Sequence, residues 1–139
     1  MQAQDIMTAD PTTVSPEATV AEAWDLMRDH AVRHIPVVDR GGLVGMVSDR
    51  DLAHFDLARL LTTESAEALR RELRTAVVTI MSADVVAVDP EAELGEIVDL
   101  LVDNRIGAVA VVRPGTRELV GIVSYIDVLK AVRDLLEVS

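Results

Sequence analysis

Gly45-Met46-Val47-Ser48-Asp49-Arg50-Asp51 returns later in the chain as Gly121-Ile122-Val123-Ser124-Tyr125-Ile126-Asp127. Each copy follows a short apolar run, Leu43-Val44 or Leu119-Val120, sets a serine three residues ahead of an aspartate, and opens a helical pattern. A serine in that place is a helix N-cap whose hydroxyl accepts a backbone N–H, and an aspartate at the third helical position is the other half of a capping box. The same helix start also offers free N–H groups and a positive dipole end to a phosphate, with the aspartate accepting from sugar hydroxyls. The two readings are compatible. One copy would decide nothing, so the weight rests on the duplication.

Outward from the turn, Ile6-Met7 matches Ile80-Met81 at an offset of 74 residues. The register holds through Val14 and Val88, Pro16-Glu17-Ala18 and Pro90-Glu91-Ala92, Asp25-Leu26 and Asp99-Leu100, and Val37-Val38 and Val111-Val112. Only the hairpin differs: Asp39 to Gly42 becomes the longer Arg113 to Glu118, after which the offset is 76. A length change confined to a turn is what a structural repeat tolerates.

Within each copy a β-prone entry run (Thr12 to Val14; Val85 to Val88) meets Pro16 or Pro90. Apolar residues then fall at helical spacing, at Val20, Ala23, Trp24 and Met27 or at Leu94, Ile97, Val98 and Leu101. Ile35 to Val38 and Val109 to Val112 predict strands buried on both faces. Gly41-Gly42 or Pro114-Gly115 turns each chain into a second strand, Leu43 to Val47 or Leu119 to Val123. The expected class is α/β (α+β), with βαββα in each copy. The expected division is residues 1–57 for repeat one, 58–76 for a helical connector and 77–139 for repeat two. Leu52 to Ala76 reads as helical with a break near Thr62-Thr63, Ser65 capping a second segment, and Arg70, Arg71, Glu72 and Arg74 forming a solvated face. A closing helix with Val128, Leu129, Val132, Leu135 and Leu136 either caps the core or serves a dimer.

Composition narrows the function classes. Apolar residues are 50% of the chain, enough for a sizeable core, and with one Trp, one Tyr and one Phe that core is aliphatic. The net charge of −11 repels a phosphate backbone, which excludes nucleic acid and an anionic membrane as expected partners. Met1 to Asp10 has neither the basic nor the apolar region of a signal peptide, so a cytoplasmic location is expected. Cysteine is absent, which removes disulfides and thiolate chemistry. Enzymatic machinery is not expected either. His30 and His34 are four apart, but His34 opens a strand, His54 reads as a polar connector position, and Asp49 and Asp51 diverge at a helix start, so no metal site is expected. Phosphate-binding glycine motifs are lacking, and Gly41-Gly42 is explained by the hairpin.

The doubled pattern resembles a tandem pair of cystathionine-β-synthase (CBS) domains over nearly the whole chain. The residues that carry the resemblance are Ile6 to Pro16, Arg33 to Asp39 and Leu43 to Leu52 in the first copy, with Ile80 to Ser82, Gly107 to Val112 and Leu119 to Val128 in the second. It implies two repeats packed about a pseudo-two-fold axis, with two clefts that take adenosine-containing ligands such as AMP, ADP, ATP or S-adenosylmethionine. By position, cleft one would use Ser48 and Asp51 with Arg33, His34, Met46 and Arg50, completed by Asp84, Val86, Ile106 and Gly107. Cleft two would use Ser124 and Asp127 with Asp10, Thr12, Val32, Arg33 and Ile122. The aspartates would accept ribose hydroxyls, the serines and nearby N–H groups would meet the first phosphate, and the apolar residues would enclose the base.

The two sets are unequal. Arg33, His34 and Arg50 stand near the proposed phosphate in the first, where the second has Gly107, Ala108 and Ile126, so the first is expected to be the better phosphate site. The resulting expectation is a non-enzymatic regulatory sensor with no catalytic cofactor. Because the repeats fill the chain, it would signal to an effector protein in trans or through oligomer state, as a homodimer. A structural dimerisation module with ligand-free clefts is the alternative.

Overall fold

The two hairpins that carry the quoted turns fall in different compact units: one comprises Thr12–Asp84, the other Met1–Pro11 together with Val85–Ser139. The computed structural model describes residues 1–62 and 65–138. In chain order the elements are α1 (Ala3–Ile6), β1 (Thr8–Ala9), α2 (Val20–His30), β2 (His34–Asp39), β3 (Gly42–Ser48), α3 (Asp49–Thr62) and α4 (Ala66–Glu72). A 3-10 turn at Val77–Thr79 follows, then β4 (Ala87–Val88), α5 (Leu94–Asn104), β5 (Ala108–Val112), β6 (Leu119–Ser124) and α6 (Tyr125–Val138). The chain is thus mixed helix and strand.

In the unit of residues 12–84, β2 and β3 form an antiparallel hairpin with His34 opposite Ser48 and Pro36 opposite Met46. Backbone bridges lengthen this sheet on both sides, Val14 pairing in parallel with Val37 and Ser82 antiparallel with Met46. The entry run Thr12 to Val14 is therefore a single bridge and not a strand, held by Val14 N–H to Pro36 C=O at 3.1 Å and Val38 N–H to Val14 C=O at 2.9 Å. Helix α2 starts in a reciprocal cap: Glu22 N–H donates to Thr19 Oγ1 at 3.1 Å, and Thr19 N–H donates to Glu22 Oε2 at 3.2 Å. It buries Val20, Ala23 and Met27 against Ile35, Val37, Val47, Leu52, Phe55 and Val77. Trp24, expected on that stripe, is 44% exposed and lies outside the core. At four residues from Val20 it sits on the flank of the stripe, where Ala23 and Met27 already fill the contact.

The other unit repeats the plan. Its sheet runs β1-β6-β5-β4, with Thr8 opposite Ile122 and Val88 parallel to Val111. Its core joins Ala3, Val88, Ala92, Ile97, Leu101, Val109, Val111, Val123 and Val128. Thr8 with Ile122 and Ser82 with Met46 are equivalent pairs at the two sequence offsets, as are Val14 with Val37 and Val88 with Val111. The match extends to loops: Ala3 N–H donates to Ala92 C=O at 2.8 Å, and Val77 N–H donates to Ala18 C=O at 2.7 Å. Each Ile-Met segment thus shares a unit with the hairpin of the repeat it does not precede in sequence, Ile6-Met7 with β5–β6 and Ile80-Met81 with β2–β3.

The first hairpin turns at Arg40 and Gly41, both at positive φ (52° and 80°), with Asp39 paired to Gly42. That is one residue earlier than expected, because a two-residue loop that matches strand twist needs left-handed backbone at both central positions, and Gly42 is already in the ladder. In the connector, Ser65 Oγ accepts from Ala68 N–H at 3.1 Å and starts α4. Helix α3 is described as far as Thr62, and the expected break near Thr62-Thr63 runs into residues 63 and 64, which lie outside the described residues. Of the apolar set expected on α6, Val128 is buried with Ala131, while Leu129, Val132, Leu135 and Leu136 are exposed.

Candidate functional site

Each repeated turn is a closed capping box. Ser48 N–H donates to Asp51 Oδ2 at 2.9 Å, and Asp51 N–H donates to Ser48 Oγ at 3.1 Å. Ser124 N–H donates to Asp127 Oδ2 at 2.9 Å, and Asp127 N–H donates to Ser124 Oγ at 3.3 Å. Ser124 Oγ also lies 3.2 Å from the same carboxylate oxygen, to which it donates. Among the described residues, Oδ1 of neither aspartate accepts a hydrogen bond, so each carboxylate presents one oxygen beyond its cap.

The next N–H is also engaged. Asp49 N–H donates to Arg33 C=O at 2.8 Å, and Tyr125 N–H donates to Gly107 C=O at 2.9 Å. The sequence reading gave this helix start several free N–H groups for a phosphate. The structure uses three of them internally, at Ser48, Asp49 and Asp51 or at Ser124, Tyr125 and Asp127. The N–H groups of Arg50 and Ile126 are the members of each first turn outside this network. Anion binding at either turn therefore depends more on side chains than the dipole argument alone suggests.

Around Ser48 and Asp51 the strand register sets a charged group. His34 is half-buried opposite Ser48, Arg33 precedes it, and Arg50 is exposed on the first turn of α3. Burial lowers the pKa of His34 below its ordinary value; Asp49 and Asp51 pull it the other way, and Arg33 and Arg50 add to the lowering. Asp49, set aside above as a metal ligand, thus belongs to the same electrostatic group. Met46 is buried in β3 and bridged to Ser82 by a reciprocal pair of backbone hydrogen bonds, Met46 N–H to Ser82 C=O at 3.0 Å and Ser82 N–H to Met46 C=O at 2.9 Å, and Asp84 is exposed two residues further on. Seven residues of the first expected set therefore share the 12–84 unit: Arg33, His34, Met46, Ser48, Arg50, Asp51 and Asp84. Val86, Ile106 and Gly107 belong to the other unit, where Val86 C=O accepts from Ala110 N–H at 3.0 Å.

The second set divides likewise. Ser124, Asp127, Ile122 and Asp10 lie in the unit of residues 1–11 and 85–139, with Ile122 buried and Asp10 exposed at φ 46° just after β1. Thr12, Val32 and Arg33 lie in the other unit. Thr8 and Ser82, which pair with Ile122 and Met46, were missed as site neighbours. Their signal was present in the duplicated Ile-Met-Thr and Ile-Met-Ser triplets. Among the described residues no group of three or more His, Asp or Glu is arranged to hold a metal ion, and no helix is long and apolar enough to cross a membrane.

A family model described as CBS domain matches residues 3–58 and again residues 77–134. The chain belongs to the CBS domain family. Its two matches place the Ser48–Asp51 and Ser124–Asp127 turns at corresponding points of two CBS repeats. The CBS domain-containing protein YhcV of Bacillus subtilis (strain 168) is 38% identical over 124 residues, covering 89% of this chain and 80% of YhcV. A solved structure of CBSX2 in complex with AMP is 26% identical with a TM-score of 0.79, covering 96% of this chain and 97% of that one; CBSX2 is a CBS-pair protein from Arabidopsis thaliana. Inosine-5'-monophosphate dehydrogenase of Methanocaldococcus jannaschii is 29% identical over 130 residues, 93% of this chain but 23% of that enzyme's length. The CBS pair therefore corresponds to a minor part of that enzyme.

Proposed function

We propose that this CBS pair is a regulatory module that binds an adenine nucleotide, AMP, ADP, ATP or a related adenosine derivative such as S-adenosylmethionine, at its Ser-x-x-Asp turns. The observation that carries the reading is the turn itself. It is present twice, closed by the same reciprocal hydrogen bonds, with one carboxylate oxygen in each left to accept from ribose hydroxyls. The AMP complex of CBSX2 supports the ligand class. The module works by binding and not by catalysis, in the cytoplasm where such nucleotides are held, with residues 1–57 and 77–139 as the repeats and 58–76 as the connector.

Binding regulates only where the ligand has different affinity for two states of the protein, on the usual scale of about 1 to 3 kcal/mol. The output passes to an effector protein or to the association of two copies. Helix α6 favours the second route: Leu129, Val132 and Leu135 are exposed along one side. Two such helices crossing antiparallel near Val132 would bury the stripe of one copy against the same stripe of the other.

Thermal unfolding with AMP, ADP, ATP, S-adenosylmethionine and NADH, with and without magnesium, tests the reading. A ligand at 100 times its Kd adds about 2.7 kcal/mol, or roughly several degrees for a domain of this size. No shift with any of them would replace the sensor by a structural dimerisation module.

A further inference from the structure

We infer that the two turns sort ligands by charge, the Ser48–Asp51 turn taking a phosphorylated nucleotide and the Ser124–Asp127 turn a nucleoside with an uncharged 5′ substituent, with Arg50 against Ile126 as the deciding position. This rests on the adenine-nucleotide reading above and goes beyond it in assigning a ligand class to each turn.

The backbone is the same in both places, and that isolates the cause. In each turn the serine, the residue after it and the aspartate have their N–H groups engaged within the unit, by equivalent acceptors at 2.8 to 3.3 Å. What remains on the first helical turn is one N–H, of Arg50 or of Ile126. Equal backbones give an anion equal help, so any difference in phosphate affinity comes from side chains. The equivalent positions that differ in charge or donors are four: Arg33 and Gly107, whose carbonyls hold Asp49 and Tyr125; His34 and Ala108, opposite Ser48 and Ser124; Arg50 and Ile126; and Asp49 and Tyr125 themselves, where the first turn carries an added carboxylate. At the first turn the first three carry nitrogen donors, and the two guanidinium groups outnumber the one added carboxylate; at the second turn the corresponding three carry no donor.

An unaided phosphate at the second turn would face the Asp127 carboxylate with no cation among these positions, in a chain of net charge −11. A guanidinium at position 50 supplies the charge-assisted donors that offset this. Ile126, 40% exposed on the corresponding first turn, offers apolar surface suited to a thioether or alkyl substituent. Arg50 and Ile126 are both exposed, so exchanging them leaves the core untouched.

Titration calorimetry with ATP and with adenosine, on the wild type, Arg50→Ile, Ile126→Arg and the double exchange, tests the assignment. Ligand-free melting curves of each variant verify folding. The readout is the ratio of ATP to adenosine affinity, which removes any effect common to both ligands. Arg50→Ile should lower that ratio by about tenfold or more, the scale of one charge-assisted contact, and Ile126→Arg should add an ATP site or strengthen a weak one. A folded Arg50→Ile protein that binds adenosine and keeps the wild-type ratio overturns the assignment while leaving the nucleotide reading standing. A wild type that binds neither ligand overturns that reading, and the assignment with it.

Discussion

A Cβ on Gly45 would overlap Sδ of Met81 and lie 3.1 Å from Ser82 C=O, and one on Gly121 would overlap Sδ of Met7 and lie 3.0 Å from Thr8 C=O. These glycines let an Ile-Met segment lie flat along the strand before each turn, and a methionine covers both because its thioether fills an irregular gap. Gly45→Ala should therefore destabilise the protein by about 1 to 3 kcal/mol, since a bridged backbone cannot move aside as a side chain end can; chemical denaturation with an unchanged slope would measure it. His34 gives a second prediction. Its folded pKa is below the ordinary value of 6.5. Above that value both folded and unfolded states are neutral at this position and stability is full. As pH falls through 6.5 toward the folded pKa, the unfolded chain takes a proton that the folded one refuses, and stability declines. Asp49 and Asp51 favour the charged ring and Arg33 and Arg50 oppose it, and burial outweighs them. Melting temperatures measured from pH 8 to pH 5.5 should fall more steeply for the wild type than for His34→Gln. Parallel profiles would show that the ring does not resist protonation.

The elements explain why the turns are so alike. Each begins where an antiparallel hairpin hands the chain to a helix, and the carbonyl that ties down the first helical N–H comes from the residue just before the hairpin's first strand, Arg33 or Gly107. The cap was legible from the serine and aspartate spacing. The strand-side tie was not, because it joins residues 16 to 18 apart whose pairing depends on hairpin register. Periodicity likewise found α6 but not which of its apolar residues are inside: Val128 and Ala131 meet the core, and Leu129 and Leu135 are 58% and 52% exposed. A helix with apolar residues on two sides is read correctly as a helix and ambiguously as a surface. If the outer stripe joins two copies, Leu129→Glu should shift the protein from dimer to monomer in analytical ultracentrifugation while its melting temperature at low concentration changes little. A wild type that sediments as a monomer at the same concentrations would remove α6 as an interface.

For the molecule as a whole, the repeat and its element order were readable because each copy restates the same periods and the length change falls in a loop. The exchange of Ile-Met segments between hairpins was not written in either copy alone; it follows from which hairpin a segment pairs with, and local patterns carry no such address. Residues 1–11 are the sharpest case. Ala3 is fully buried in the core with Ile97 and Val109, Ala3 and Gln4 N–H donate to Ala92 and Pro90 C=O at 2.8 and 2.9 Å, and β1 pairs with β6. Removing these residues would leave that core open and β6 with an unpaired edge, while Val14, Val77 and the β2–β3 bridges stay in place. Hydrogen exchange on a chain lacking residues 1–11 should then show protection lost first in β5, β6 and α5, some 80 to 120 residues away in sequence, with β2 and β3 still protected. Loss confined to β2 and β3, the hairpin that follows the segment in sequence, would mean that residues 1–11 support their own repeat and that the exchange is wrong.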